Sequence, residues 1–156
     1  TAGEAGHMIV QPGGRSCPCG NHGCLEQYIS EPAVLSRYRE LSGRTTVSID
    51  DLVWAYNQKE TAALAVTDEF TTYLACGINN LWNLFSPECI ILNCQLTAYL
   101  PQLLPEILQK LSPRFRATCH LKLSTLQDTG VLLGAAKVCI SKYLGTEKLY
   151  FSGLQP

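Results

Sequence analysis

The chain has 156 residues, 46% apolar and 16% charged, with 12 basic and 13 acidic side chains and a formal net charge of −1. That is one domain's length with room for a proper core, and the lack of any basic run excludes this segment as a phosphate-binding nucleic-acid face. No apolar run approaches the roughly 20 residues of a membrane span, and the chain opens on a polar, glycine-rich stretch rather than a signal peptide.

Taken in order, residues 4–26 carry the chemistry. Glu4-Ala5-Gly6-His7 forms a polar corner, and Met8-Ile9-Val10 reads as the end of a strand. Gly13-Gly14 lets the chain fold back towards Cys17-Pro18-Cys19-Gly20-Asn21-His22-Gly23-Cys24-Leu25-Glu26. His7, Cys17, Cys19 and Cys24 are four soft or borderline ligands, the number a tetrahedral zinc site needs. The Cys17-x-Cys19 gap is tighter than that of a zinc finger, so both thiols reach one ion only across a sharp bend, which Pro18 and Gly20 supply. The competing view is a loop of unrelated thiols, or a disulfide with a spare cysteine. His22, between two ligating cysteines and beside Gly23, reads as a solvent-facing loop residue rather than a fifth ligand candidate. Glu4 and Glu26 flank the same imidazole, and carboxylates and imidazole suit the hydroxyls of a sugar because each accepts hydrogen bonds from neutral donors. Equally, Glu26 is an ordinary helix-start acid favoured by the helix dipole; residue types alone leave both open.

A short helix starts at Leu25 and ends at Ser30-Glu31-Pro32. Pro32 opens the next helix, with Val34, Leu35, Tyr38 and Leu41 on one stripe and a stop at Gly43. Ser48-x-x-Asp51 resembles a capping box leading into Leu52, Val53 and Tyr56. Thr61–Phe85 is expected to be the longest helix, roughly 37 Å, with Val66, Phe70, Tyr73, Leu74, Gly77, Ile78, Leu81, Trp82 and Phe85 at three- and four-residue steps. Gly77 inside it points to close packing. Cys89–Leu92 reads as a buried strand, Thr97 or Tyr99 to Leu111 as a helix, and His120–Thr125 as a second strand. Asp128 is expected to cap a last helix, Gly130–Leu144, with Val131, Leu132, Ala135, Val138 and Cys139 inward. Strand, helix, strand, helix implies a parallel pair. Cys76, Cys89, Cys94, Cys119 and Cys139 lie in apolar stretches and read as small buried hydrophobes, consistent with a reduced, cytoplasmic setting. The whole is expected to be a single domain: a zinc and sugar segment (4–26), a helical segment (32–85), an α/β segment (86–144) and a short, poorly ordered polar tail (145–156).

Glu4-x-Gly6-His7, Pro12-x-Gly14 and Cys17-x-Cys19-Gly20-x-x-Gly23-Cys24-Leu25-Glu26 together resemble the signature of the ROK family, which groups NagC, Mlc and XylR type transcriptional regulators with sugar kinases. The likeness extends more loosely to about residue 144. It implies that His7, Cys17, Cys19 and Cys24 bind one zinc and that Glu4, His7 and Glu26 contact sugar hydroxyls. The fold it implies is α/β, the C-terminal lobe of an actin-like (ribonuclease-H-like) ATPase with an inserted zinc loop. No Asp-x-Gly-x-Thr phosphate turn and no candidate catalytic Asp stand in this chain; in the family these lie upstream, as do the first strands of the lobe. The chain is therefore expected to be a C-terminal piece whose open sheet edge invites pairing with a second copy.

Family kinases usually carry two glycines after the strand equivalent to Cys89–Leu92, where this chain has Asn93 and Cys94. Gly130 and Gly134 do match the family's glycine-rich helix start. The favoured expectation is a dimeric, sugar-sensing lobe of a regulator that meets DNA only through an upstream helix-turn-helix. The alternatives are the C-terminal half of an ATP-dependent sugar kinase and a zinc-stabilised docking module without ligand binding.

Overall fold

The computed structural model describes residues 3–126 and 129–146. The expected cap Asp128 and the tail beyond Thr146 lie outside these described residues.

Residues Ala5–His7 form a single 3-10 turn, and Met8-Ile9-Val10 adds one antiparallel bridge, Ile9 to Cys24, rather than a strand. The reason is local: the chain must turn at Glu4–His7 and again at Gly13, leaving no length for a ladder. Four helices then follow: α1 (Glu26–Ile29), α2 (Glu31–Ser42), α3 (Ile49–Asn57) and α4 (Thr61–Phe85). Gly43 ends α2 in the left-handed region (φ 69°), the usual glycine stop. Ser48 and Asp51 form the reciprocal capping box of α3, with Ser48 Oγ accepting from the Asp51 N–H and the Ser48 N–H donating to Asp51.

Helix α4 is the spine. Its buried side includes Val66, Phe70, Leu74, Ile78 and Trp82, and α1, α2, α3 and the later helix over Leu103–Lys110 all pack on it. Phe70, Phe115, Leu52, Leu100, Leu103 and Ile107 are fully buried in the same cluster. Phe85, at the end of the expected stripe, is instead 73% exposed, and Leu41 of α2 also faces solvent. In both cases the helix outruns the body it packs against.

The α/β segment departs further from expectation. Strands β1 (Cys89–Leu92) and β2 (His120–Leu123) pair in parallel, Cys89 opposite His120 through Leu92 opposite Leu123. The helix expected over Thr97–Leu111 is two, α5 (Gln95–Tyr99) and α6 (Leu103–Lys110), because Pro101 lacks an N–H and clashes with a continuous helix. A short helix α7 (Pro113–Thr118), capped by the Ser112 hydroxyl, was not legible as a helix at all. Helix α8 (Thr129–Leu144) forms, yet Val131, Leu132 and Val138, expected inward, are exposed, as are Ile91 of β1 and the thiols Cys89 and Cys139. Cys119 is buried; Cys76 and Cys94 are partly so. Among the described residues the sheet has two strands, so one face of it and most of α8 have no layer above them.

Gly77 explains how the spine meets the polar corner. A Cβ there would lie 2.5 Å from Leu25 Cδ2, so the glycine admits Leu25, the residue just after Cys24, against α4. Gly77→Val is expected to overpack this contact and lower stability by about 1–3 kcal/mol, read as a shift in denaturation midpoint. An unchanged midpoint would mean that Leu25 is not seated there.

Candidate metal and ligand site

The loop between the 3-10 turn and α1 is held mainly by its own backbone. Val10 and Gln11 N–H groups donate to the Gly23 carbonyl, Gly23 donates to the Arg15 carbonyl, and Leu25 donates to the Met8 carbonyl. Cys17 donates to Asn21 O and Gly20 to Cys17 O, closing the tight bend between the cysteines. Gly23, at φ +80°, is compulsory: a Cβ there would sit 1.7 Å from the Gln11 carbonyl oxygen.

This lacing brings His7, Cys17, Cys19 and Cys24 together, with one ligand atom from each, all within 4.8 Å of one another. His7 Nδ1 lies 3.6 Å from Cys17 Sγ, and Cys19 Sγ lies 3.6 Å from Cys24 Sγ. A tetrahedral zinc with three thiolates and one imidazole has sulfur–sulfur edges of about 3.8 Å and sulfur–nitrogen edges of about 3.6 Å, from its bond lengths. The donor set suits a metal ion, and the two 3.6 Å edges already match this geometry. The cysteines are free thiols, so neither the disulfide nor the scattered-thiol view describes them. His22 is exposed on the outside of the bend and stays out of the cluster.

Both carboxylates reach the same imidazole. Glu26 Oε1 lies 3.4 Å from His7 Nδ1, and Glu4 Oε2 lies 3.7 Å from His7 Nε2. Glu26 is also the first residue of α1, so its dipole role and its place at the site coexist. Its Oε1 accepts from the Cys17 thiol at 2.9 Å. That contact pushes the Cys17 thiol up to about 12 and, as its largest cause, holds the Glu26 carboxyl below the usual range. Burial raises Cys24, whereas the Asn21 backbone N–H, first among several contacts, lowers Cys19.

A cavity of about 390 Å³ opens beside Glu26 and Gly6, bounded by Ile29, Val34 and Leu96. A second one, of about 180 Å³, lies at the C-terminal ends of β1 and β2 against Asn93, Cys94 and Ser124. The Asn93 side chain reaches to 3.7 Å from where a Gly130 Cβ would stand, so it occupies the space at the start of α8.

Sequence reading missed the residues that tie the loop to the body. Arg15 bridges to Glu69 of α4, and Glu69 also accepts from Arg37 of α2. Tyr28 stacks on Tyr73 at 3.9 Å. These partners lie 32 to 54 residues apart in the chain, and no local pattern links them.

With this geometry described, the likeness to other proteins is specific. The family model described as "ROK family" matches residues 1–142. The xylose repressor of Bacillus spizizenii is 30% identical over 152 residues, which span 95% of this chain and 39% of the repressor. The structure of a ROK hexokinase from Thermus thermophilus superposes with TM-score 0.70 at 26% identity, over 86% of this chain and 46% of the hexokinase. A ROK family transcriptional regulator, a homolog of the E. coli MLC protein, superposes with TM-score 0.62 at 28% identity, over 78% of this chain and 34% of the regulator. The chain spans about two fifths of the length of the curated repressors it matches. The matched residues run through the cysteine loop, the spine helix and the α/β segment alike, and on that extent the chain belongs to the ROK family.

Proposed function

We propose that this chain is the sugar-sensing, zinc-containing C-terminal lobe of a ROK-type transcriptional regulator. In this reading it is one actin-like lobe with an inserted zinc loop, serving effector binding and dimerisation in the reduced cytoplasm. DNA is met by a helix-turn-helix outside this chain. The observation that carries the reading is the His7 ring, flanked by Glu4 and Glu26 carboxylates and backed by three thiols.

Zinc, when bound, supplies a fixed charge that locks the loop, and four protein ligands leave no open position for Lewis-acid work. His7, Cys17, Cys19 and Cys24 would hold it. With Nδ1 committed to that side, His7 Nε2 is left to face a ligand, in one tautomer and orientation. Deprotonation of Cys17 removes the donor that occupies Glu26 Oε1 and frees that oxygen to accept from a sugar hydroxyl. Glu4 accepts a second. Two carboxylates and an imidazole suit a neutral polyol and repel anionic ligands.

Two features favour the regulator over the kinase. The xylose repressor likeness spans nearly the whole chain, and Asn93 and Cys94 carry side chains where the family's kinases keep glycines for nucleotide approach. The hexokinase likeness supports the second reading, the C-terminal half of an ATP-dependent sugar kinase. That reading requires sugar-dependent ATP turnover by the full-length protein.

Sugar titration of the full-length protein on its operator tests the first reading, the expected result being a change in DNA affinity with one sugar of a hexose, pentose and amino-sugar panel. No response to any sugar, with zinc affecting stability alone, would leave only a docking module. Glu26→Ala or Glu4→Ala is expected to weaken sugar binding roughly 10- to 100-fold, the worth of a hydrogen bond to a charged group, while zinc content is retained. Zinc uptake by the metal-free protein at neutral pH is expected to release at least the Cys17 and Cys24 protons, since both thiols are raised. Zinc affinity should therefore climb with pH, and proton release in weak buffer measures the count.

A further inference from the structure

The loop's ligands and most of its hydrogen bonds are internal, so something else must fix it against the body. Arg15, two residues before Cys17, does most of this. Its Nη1 donates to the Gln27 carbonyl at 2.8 Å, its guanidinium carbon lies 4.6 Å over the Tyr28 ring, and its backbone N–H donates to Tyr28 Oη at 3.1 Å. Its Nη2 pairs with Glu69 Oε1 on α4. The other oxygen of Glu69 accepts from Arg37 Nε at 3.2 Å, and Arg37 lies on α2. One carboxylate thus draws together the loop, α2 and α4. The Glu69 side chain is only 23% exposed, which takes this pairing out of the weak class of fully solvated ion pairs.

We propose that Glu69 is a positioning residue for the metal loop and, through Arg15, for the His7 ring against Glu26. The inference rests on the zinc and sugar reading above. Arg15 is covalently next to the Ser16–Cys17 limb, and Cys17 Sγ is within 3.6 Å of His7 Nδ1 and 2.9 Å of Glu26 Oε1. Holding Arg15 to α4 therefore sets where the first thiol stands relative to α1, which carries Glu26. Without Glu69 the four ligands still share one loop and still take up a metal. What is lost is the outer support that keeps the ligands from opening and the ring from turning away from Glu26.

A simple helix staple, α2 to α4, would use the same residues, and Arg37 separates the two roles because it shares Glu69 but does not touch the loop. The test uses the zinc-loaded full-length protein and follows zinc transfer to a chromophoric chelator. Glu69→Gln, which keeps shape and removes charge, and Arg15→Lys are each expected to speed transfer by roughly tenfold, the low end for losing one hydrogen bond to a charged group. The double variant is expected to match the single ones. Arg37→Lys is expected to stay within about twofold of the parent, the scatter of independent sites. In cobalt-substituted protein, Glu69→Gln should also shift the thiolate charge-transfer bands, which a distant staple would not move. Equal acceleration by all three variants, or no acceleration by Glu69→Gln, overturns the proposal while the zinc reading stands. Parent protein that binds no zinc overturns both. Should Glu69→Gln fail to fold, Arg15→Lys, placed on the loop itself, decides the matter.

Discussion

Three thiols and an imidazole converge within 4.8 Å on a loop held by backbone hydrogen bonds and a few polar ties, with little apolar burial of its own. Of the residues between His7 and Leu25, only Cys17, Gly23, Cys24 and Leu25 are buried. Apolar burial on that scale does not offset the conformational entropy of ordering a glycine-rich loop, at roughly 1–2 kcal/mol per residue. The backbone lacing around Gly23 narrows the ensemble, yet it leaves sulfur atoms 3.6 Å apart that repel as soon as they ionise. A cation resolves that conflict and converts it into stability, because ligands that repel one another are attracted to it together. On the zinc reading proposed above, the shape of the whole polar corner would depend on this exchange.

The consequence reaches the ligand face by way of shared atoms. Glu26 Oε1 serves the Cys17 proton and the His7 ring, and the same side chain lines the open cavity beside Gly6. A hydrogen bond to a thiol and one to a ligand hydroxyl compete for that oxygen, so the protonation of Cys17 and the readiness of Glu26 are opposite sides of one equilibrium. Placing Glu26 at the first position of α1 adds the dipole preference for a charged carboxylate at that end. Leu25, seated in the gap left by Gly77, sets where α1 begins on the spine helix. On the proposed reading, sequence neighbours Cys24, Leu25 and Glu26 would couple metal ligand, core anchor and ligand acceptor in three consecutive residues.

What was legible in the residues followed from local rules. The spacing of His7, Cys17, Cys19 and Cys24, the Ser48–Asp51 box and the glycine stop at Gly43 each involve groups a few residues apart, and each is found in place. The bounds of α4 follow from its period and the Ser86-Pro87 stop. Less legible was anything decided by what lies across the gap. Val131, Leu132 and Val138 have the character of core residues, but which surface they meet is not written in their spacing, and they face outward. The same holds for Arg15, Glu69 and Arg37, where charges that look like a solvated face meet only because three elements pack together. Pro101 is a different failure: a proline near a helix start is tolerated, yet here it falls between two helices, and only the buried Leu100 and Leu103 on either side reveal why the chain bends there.

The two ends of this lobe present different chemistry, and on the reading proposed above their contrast suits binding better than phosphoryl transfer. At the polar corner two carboxylates, Glu4 and Glu26, flank the His7 ring, and the described lining of the cavity beside Glu26 carries Glu26 and Glu31 but no Lys or Arg. Phosphoryl transfer asks for the reverse, cations and backbone N–H groups gathered on the phosphates. The C-terminal ends of β1 and β2 are where an open α/β sheet offers such a cradle, and there Asn93 stands between a cavity of about 180 Å³ and the start of α8. On the regulator reading proposed above, the carboxylate-flanked corner would recognise a neutral polyol, while Asn93 narrows the strand end where a nucleotide would approach.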